Sequence, residues 1–216
     1  MGVMIVTGGG RGIGAAIAEG AGRKGWDVAV NYRTEKARAE AVADAIRKSG
    51  RKAIAVQADV AQESDILRLF ETVDRELGTV GALVNNAGID IENWLADVRL
   101  ADIEQIFRVN VYGPMLCARE AVKRMSTAKG GKGGAIVNIG SVAGRTGGMK
   151  KGGAYAASKA AVDTFTRALA LETAQQGVRV SCVRPTAWSA GSAMRSSAWR
   201  ASIRLRASWS TPGAWR

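Results

Sequence analysis

Thr7-Gly8-Gly9-Gly10-Arg11-Gly12-Ile13-Gly14 follows a short apolar run at 3–6 and leads into Ala15-Ala16-Ile17-Ala18, a helix-like stretch. Glycines permit a tight turn and let backbone come close to a pyrophosphate. The helix behind them offers unpaired N–H groups and the positive end of its dipole. A glycine-rich turn alone is weak evidence, but between a strand and a helix it reads as a dinucleotide-binding fingerprint. No Lys-Ser or Lys-Thr follows, so it is not a P-loop.

Outward from this turn, short runs rich in Val, Ile and Ala recur at 28–30, 53–56, 82–84, 135–139 and 178–183. They show little alternation, as strands buried on both faces do. Helical patterns fill the gaps at 12–24, 35–48, 63–77, 101–124 and 154–175. In the third, Ile66, Leu69, Phe70 and Val73 fall at helical spacing. Strands alternating with helices predict an α/β protein: a Rossmann-like, doubly wound parallel sheet with helices on both faces. Residues 1–185 form one expected dinucleotide-binding and catalytic domain.

The 216 residues are 47% hydrophobic and 23% charged, as in an ordinary soluble domain. The absence of His removes Ser-His-Asp and Cys-His catalysis and any His-based metal site. The two cysteines, Cys117 and Cys182, lie far apart, which suits a reducing compartment. No run reaches the roughly 18 apolar residues of a membrane span, and residues 1–6 lack the features of a signal peptide. A cytoplasmic protein with no metal and no membrane partner is expected.

The net charge of +12 is unevenly placed, because no acidic residue follows Glu172 while 7 Arg do. Residues 186–216 hold 7 Ala, 7 Ser, 5 Arg and 4 Trp with no clear period. Two expectations stand for this atypical tail: poor order, or an out-of-frame reading of a GC-rich gene. Arginines interleaved with tryptophans can stack on single strands. A nucleic-acid binder more often spreads its charge over a folded stripe, so such a partner is not expected.

Cofactor choice is read about 20 residues past the glycine turn, where an acidic residue would hold the ribose 2′-hydroxyl of NAD. Asn31-Tyr32-Arg33 stands there instead. Arg33, with Arg11, suits a 2′-phosphate, which favours NADP over the alternative, NAD. Other polar groups fall at strand ends: Asp59-Val60, Asn85-Asn86-Ala87-Gly88 and Asn138-Ile139-Gly140-Ser141. Ligands of open parallel sheets bind at such ends. Tyr155 and Lys159, four apart, share one helix face. A nearby ammonium lowers a phenol pKa, so Tyr155 is expected to exchange a proton near neutral pH. Ser141 is placed to hydrogen-bond a substrate oxygen. Asn110 reads alternatively as a bridge over a kink before Pro114.

This set resembles the short-chain dehydrogenase/reductase family, in particular its classical branch, with the 3-oxoacyl-carrier-protein reductases and glucose-type sugar dehydrogenases. The resemblance covers residues 1–185 and rests on the 7–14 turn, Asp59-Val60, the 85–88 tetrad, Asn110, Ser141 and Tyr155-x-x-x-Lys159. It implies NADP(H)-dependent hydride transfer between a carbonyl and an alcohol on a small molecule. Tyr155 would be the general acid/base, and Ser141 would polarise the carbonyl. Lys159 would bind the nicotinamide ribose and tune Tyr155, and Asn110 would hold a water linking Lys159 to solvent. The cofactor set is Thr7, Gly8, Gly10, Arg11, Gly12, Ile13, Gly14, Tyr32, Arg33, Asp59, Val60, Asn86, Ala87, Gly88, Lys159 and Pro185.

The family continues beyond its sixth strand with a nicotinamide-binding segment, a substrate lid and a further strand. The pattern after Pro185 lacks these, so a missing C-terminal strand and lid are expected. The alternative function is a catalytically impaired dinucleotide-binding relic. A homo-oligomer, dimer or tetramer, is expected through the helices at 101–124 and 154–175. Arg145, Lys150 and Lys151 in the loop before Tyr155 would suit a phosphorylated carrier or an acidic substrate, but are read as solvated charges.

Overall fold

The structure is a computed structural model that describes residues 2–186. Six parallel strands form one sheet in the order β3-β2-β1-β4-β5-β6. They are β1 (Val3–Val6), β2 (Asp27–Tyr32), β3 (Ala53–Gln57), β4 (Val80–Asn85), β5 (Gly134–Ile139) and β6 (Val178–Val183). The helices are α1 (Gly12–Arg23), α2 (Lys36–Lys48), α3 (Glu63–Glu76), α4 (Leu100–Phe107), α5 (Gly113–Met125), the short α6 (Ala143–Thr146) and α7 (Gly153–Thr173). Strand order reverses between β1 and β4, which opens a crevice at their carboxyl ends.

Two apolar layers cover the sheet. One face carries Ala15, Ala18, Ala39, Val42 and Ile46 of α1 and α2. Gly22 makes that packing possible, since a Cβ there would lie 2.7 Å from Ile46 Cγ2. The other face carries Leu69, Phe70 and Val73 of α3 with Cys117, Ala121 and Met125 of α5. The four residues expected at helical spacing in α3 are all buried.

Three features depart from the sequence reading. The single helix expected at 101–124 is interrupted by a π-helical turn at Arg108–Tyr112. Pro114 has no N–H to give and its ring crowds the carbonyl of Asn110, so the ladder widens there. Helix α6 is too short to leave a periodic signature. Strand β6, outermost in the described sheet, is buried only at Val178; beyond it half-exposed Val180 and Cys182 alternate with exposed Arg179, Ser181 and Val183, instead of being buried on both faces. The tail expected at 186–216, except for Thr186, lies outside the described residues, as do the positions where a lid and a further strand would fall.

Candidate active site

The glycine turn is built against β4. Thr7 Oγ1 donates to the Val84 carbonyl at 3.3 Å and accepts from the N–H groups of Asn86 and Ala87 at 2.9 and 3.1 Å. The Asn86 amide donates to the carbonyls of Thr7 and Gly8 at 2.9 and 3.1 Å. Thr7, Asn86 and Ala87 therefore hold the turn. Gly8 sits at φ +60°, where only glycine is unstrained. Gly10 meets Ala39 of α2. Gly14 is hemmed in by backbone, for a Cβ there would lie 2.3 Å from the Gly8 carbonyl oxygen.

One side of the turn is open. Gly12, at φ +58°, has nothing within 4 Å of its Cβ position. Arg11 gives α1 no side-chain cap, and the first turn, with Ile13 partly exposed, has no acidic residue. Such an end presents free N–H groups to an anion. The residues present thus fit a dinucleotide's pyrophosphate.

Sequence reasoning missed the role of Asn31. Its buried amide donates to the Val56 and Ala58 carbonyls at 3.3 and 2.9 Å, while its Oδ1 accepts from Gly8 N–H at 3.2 Å. It ties the glycine turn to the ends of β2 and β3. No local pattern reveals bonds spanning 23 to 27 residues. Tyr32, placed in the cofactor set, is buried in the α1/α2 layer. Arg33 is exposed, and among the described residues neither its guanidinium nor that of Arg11 has a hydrogen bond or ion pair.

Arg33 lines a cavity of about 270 Å³ with Asp59, Gln62, Glu104, Arg108 and Val109. Asp59 shapes its floor: its carboxylate accepts from Ala61 N–H at 2.9 Å, and its own N–H donates to Asp65 at 2.8 Å. That bond, then Arg68, holds the Asp65 carboxyl below its ordinary pKa. Val60 packs in the opposite core layer, close under Gly113. Glu104 of α4 and Arg108, four residues on at the start of the π-turn, were not read as site residues.

The second group gathers where β5, the loop after β4 and α7 meet. Lys159 is buried and its ammonium donates to the Ile139 carbonyl at 2.8 Å, tying α7 to the end of β5 two residues before Ser141. The same ammonium lies 5.7 Å from the centre of the Tyr155 ring. Ser141 Oγ accepts from Ala143 N–H at 3.1 Å. Asn110, in the π-turn, donates to the Ile89 carbonyl and accepts from Ile89 N–H, both at 2.8 Å, and also donates to Ser158 Oγ at 3.0 Å. Ser158 in turn donates to the Tyr155 carbonyl at 2.7 Å. Gly88 leaves room for the cluster: its Cβ position is 3.4 Å from Asn110 Oδ1 and 3.5 Å from Lys159 Nζ. Pro185 closes the side of the site, its carbonyl accepting from Val142 N–H at 3.3 Å. Nearby, Arg184 pairs with Asp163 of α7 at 2.6 Å and pins the end of β6.

The electrostatics differ from the sequence expectation. Burial raises the Tyr155 pKa above its ordinary value; Ser141 opposes this and the Asp90 carboxylate adds to it. Burial also lowers Lys159 from 10.5 to about 8. The lysine is not among the groups that move the phenol; burial sets the direction at both groups. The cysteines stay thiols, pushed up by burial to about 12 at Cys117 and about 11 at Cys182. The loop lysine Lys151 is not merely solvated: its ammonium lies 5.5 Å from the centre of the Trp94 ring.

A stability prediction follows from Lys159. Its folded pKa is below the unfolded value, so between about 8 and 10.5 the unfolded chain binds more protons. Stability then rises with pH across that window, and below it the buried ammonium costs on the order of 3 kcal/mol. In Lys159→Met the ligand-free protein is expected to melt higher than wild type at neutral pH. The advantage should shrink as pH rises through the same window. Thermal melts at several pH values check this, and a pH-independent difference would contradict it.

Chain order, crossovers and the crevice between β1 and β4 define a Rossmann-like α/β protein. The match to short chain dehydrogenases spans residues 2–201, and the chain belongs to that family. The match runs past Pro185, where the recognisable motifs end. The Escherichia coli K12 protein described as an uncharacterized oxidoreductase, YgfF, is 46% identical over 190 residues, covering 86% of this chain and 75% of that protein. Elsinochrome reductase 1 of Elsinoe fawcettii is 38% identical over 183 residues, covering 85% and 67%. A Burkholderia cenocepacia J2315 short chain dehydrogenase solved with NADP superposes with a TM-score of 0.80 at 38% identity, covering 84% of this chain and 72% of that one. A blue fluorescent protein from a metagenomic library, solved with NADPH, gives 0.80 at 37% identity, covering 85% and 73%.

Proposed function

We propose that this chain is an NADP(H)-dependent oxidoreductase that interconverts a carbonyl and an alcohol, with residues 1–185 as its dinucleotide-binding and catalytic domain. The observation that carries the reading is the convergence of Ser141, Tyr155, Lys159 and Asn110 beside the open glycine turn. When bound, the dinucleotide supplies the hydride. Tyr155 gives its phenolic proton to the carbonyl oxygen, and Ser141 holds that oxygen with a hydrogen bond. Lys159 orients the ribose, and its ammonium, 5.7 Å from the ring centre, offsets the negative charge left on Tyr155 when its proton leaves. Asn110 fixes Ile89 and Ser158, and through them the backbone beside Tyr155. A phenol kept protonated by burial suits the acid role, which is the reductive direction. Relatives named as reductases support that direction.

Thr7, Asn86 and Ala87 hold the glycine turn, and the open N-terminus of α1 takes the pyrophosphate. Arg33 and Arg11 take the 2′-phosphate, and structural neighbours solved with NADP and NADPH support that choice. The protein is read as a cytoplasmic homo-oligomer joined through the α4–α5 segment and α7, on which Met115 and Leu171 are exposed. No described helix is long and apolar enough to cross a membrane.

The test is a fluorescence titration with NADPH and NADH. Wild type is expected to prefer NADPH. Arg33→Ala should weaken NADPH about 10- to 100-fold, the range of a charge-assisted hydrogen bond, and leave NADH unaffected. Equal loss for both dinucleotides would remove the 2′-phosphate assignment. Failure of wild type to bind either would contradict both this reading and the dinucleotide-binding relic, whereas binding without turnover would favour the relic.

A further inference from the structure

Ser141 and Tyr155 have to meet at one carbonyl oxygen, yet they stand on different elements, Ser141 just past the end of β5 and Tyr155 on α7. Two backbone bonds flank the serine. Gly140 N–H donates to the Val183 carbonyl at 2.8 Å, and Val142 N–H donates to the Pro185 carbonyl at 3.3 Å. The backbone on both sides of Ser141 therefore depends on residues 183–185, at and just past the end of β6. That strand is outermost in the described sheet, and Val183 at its end is exposed, so apolar packing does little to place that end.

Asp163 supplies the hold. It lies one helical turn beyond Lys159 and two beyond Tyr155, on the face of α7 that carries both. Its buried carboxylate accepts from Arg184 Nε at 2.6 Å and from Cys182 Sγ at 3.0 Å, one oxygen for each. The strand ends come close here: a Cβ on Gly140 would lie 2.7 Å from Cys182 Sγ and 3.3 Å from Asp163 Oδ1. Burial alone would raise the Asp163 carboxyl. The bond from Arg184, then the Cys182 thiol and the charges of Arg184 and Arg167, outweigh it and hold the group below its ordinary pKa. From the same helix, Lys159 grips the end of β5 at the Ile139 carbonyl, 2.8 Å away. Helix α7 thus holds both strand ends, and the strand ends hold each other across Ser141. A buried ion pair adds little stability over apolar packing of the same volume, but a charge-assisted bond fixes direction and distance.

We propose that Asp163 is a positioning residue: through Arg184 and the Val183 and Pro185 carbonyls it sets the Ser141 hydroxyl at the level of α7 where the Tyr155 phenol gives up its proton. It acts through Ser141 and not on the reacting atoms. This rests on the carbonyl-reductase reading above.

The experiment is a double-mutant cycle of Asp163→Asn with Ser141→Ala, run with NADPH and the best substrate from a panel of aldehydes and ketones. Rates are divided by the NADPH-binding sites counted by titration, so that unfolded protein does not enter. Asp163→Asn should lower kcat per site about tenfold and leave KM within about threefold of wild type, as loss of a charge-assisted bond allows. In the Ser141→Ala background the same change should cost less than about threefold, because the group being positioned is gone. Arg184→Gln should reproduce the loss, and combining it with Asp163→Asn should add nothing. Equal losses with and without the Ser141 hydroxyl overturn the proposal, since a purely structural pair would act alike in both backgrounds. An unchanged kcat per site in Asp163→Asn overturns it too. Amide hydrogen exchange keeps the positioning role apart from the reductase reading. The Gly140 and Val142 amides should exchange about tenfold faster in Asp163→Asn, with those of β1 and β4 unchanged. If wild type reduces none of the carbonyl compounds while those two amides respond in this way, the reductase reading falls and the frame around Ser141 stands. Unchanged exchange at Gly140 and Val142 overturns the frame, whatever the turnover.

Discussion

Tyr155→Phe is expected to lower carbonyl reduction by a factor of about 10² to 10⁴, the usual contribution of a positioned general acid, while NADPH affinity and the melting temperature stay near wild type. The hydroxyl removed belongs to a half-buried ring whose backbone is fixed independently, by Ser158 at 2.7 Å and Asn110 behind it. Lys159 keeps its own bond to Ile139 at 2.8 Å in the variant. The loss should therefore appear in kcat far more than in KM. Steady-state kinetics beside a nucleotide titration read both quantities. A variant that keeps a tenth or more of the wild-type rate would mean that water or another group delivers the proton.

Gly14→Ala is expected to be the most damaging single-methyl change in the nucleotide half. The added Cβ would lie 2.3 Å from the Gly8 carbonyl oxygen and 2.5 Å from Asn86 Nδ2. The obstacle is backbone, and the amide is itself committed to the Thr7 and Gly8 carbonyls. Neither can yield without opening the turn. Overpacking of this kind costs roughly 1–3 kcal/mol, and a fixed carbonyl puts it at the upper end. NADPH affinity should fall at least 100-fold, since the displaced turn is the one that faces the pyrophosphate. Thermal melts and titrations measure the two losses. Gly12→Ala is the control for space: it meets no atom within 4 Å but must hold φ +58°. It should cost less in stability than Gly14→Ala.

The features legible in the sequence are those with short-range signatures. The 7–14 turn, the apolar strand runs and the four-residue spacing of Tyr155 and Lys159 each need only a few neighbouring residues to declare themselves. What the sequence hid is tertiary. Asn31 bridges three strand ends through bonds spanning 23 to 27 residues. Asn110 grips Ile89, 21 residues away, and does so from a π-turn that a 3.6-residue period cannot show. Pro114 was the visible sign of that irregularity, yet it could not say which side chain would use it. The rise of the Tyr155 pKa is hidden for the same reason, since burial is set by the whole packed site and a neighbouring lysine is the only part of it the sequence displays.

The most direct test of the account is transfer of a labelled hydride. NADPH deuterated at nicotinamide C4 would be mixed with the protein and a panel of aldehydes and ketones, and the products read by mass spectrometry. The account predicts one deuterium on the carbinol carbon with wild type and a greatly reduced yield with Tyr155→Phe. Tight NADPH binding with no label in any alcohol would contradict it and leave the chain a nucleotide-binding protein whose catalytic cluster does no chemistry on these carbonyl compounds.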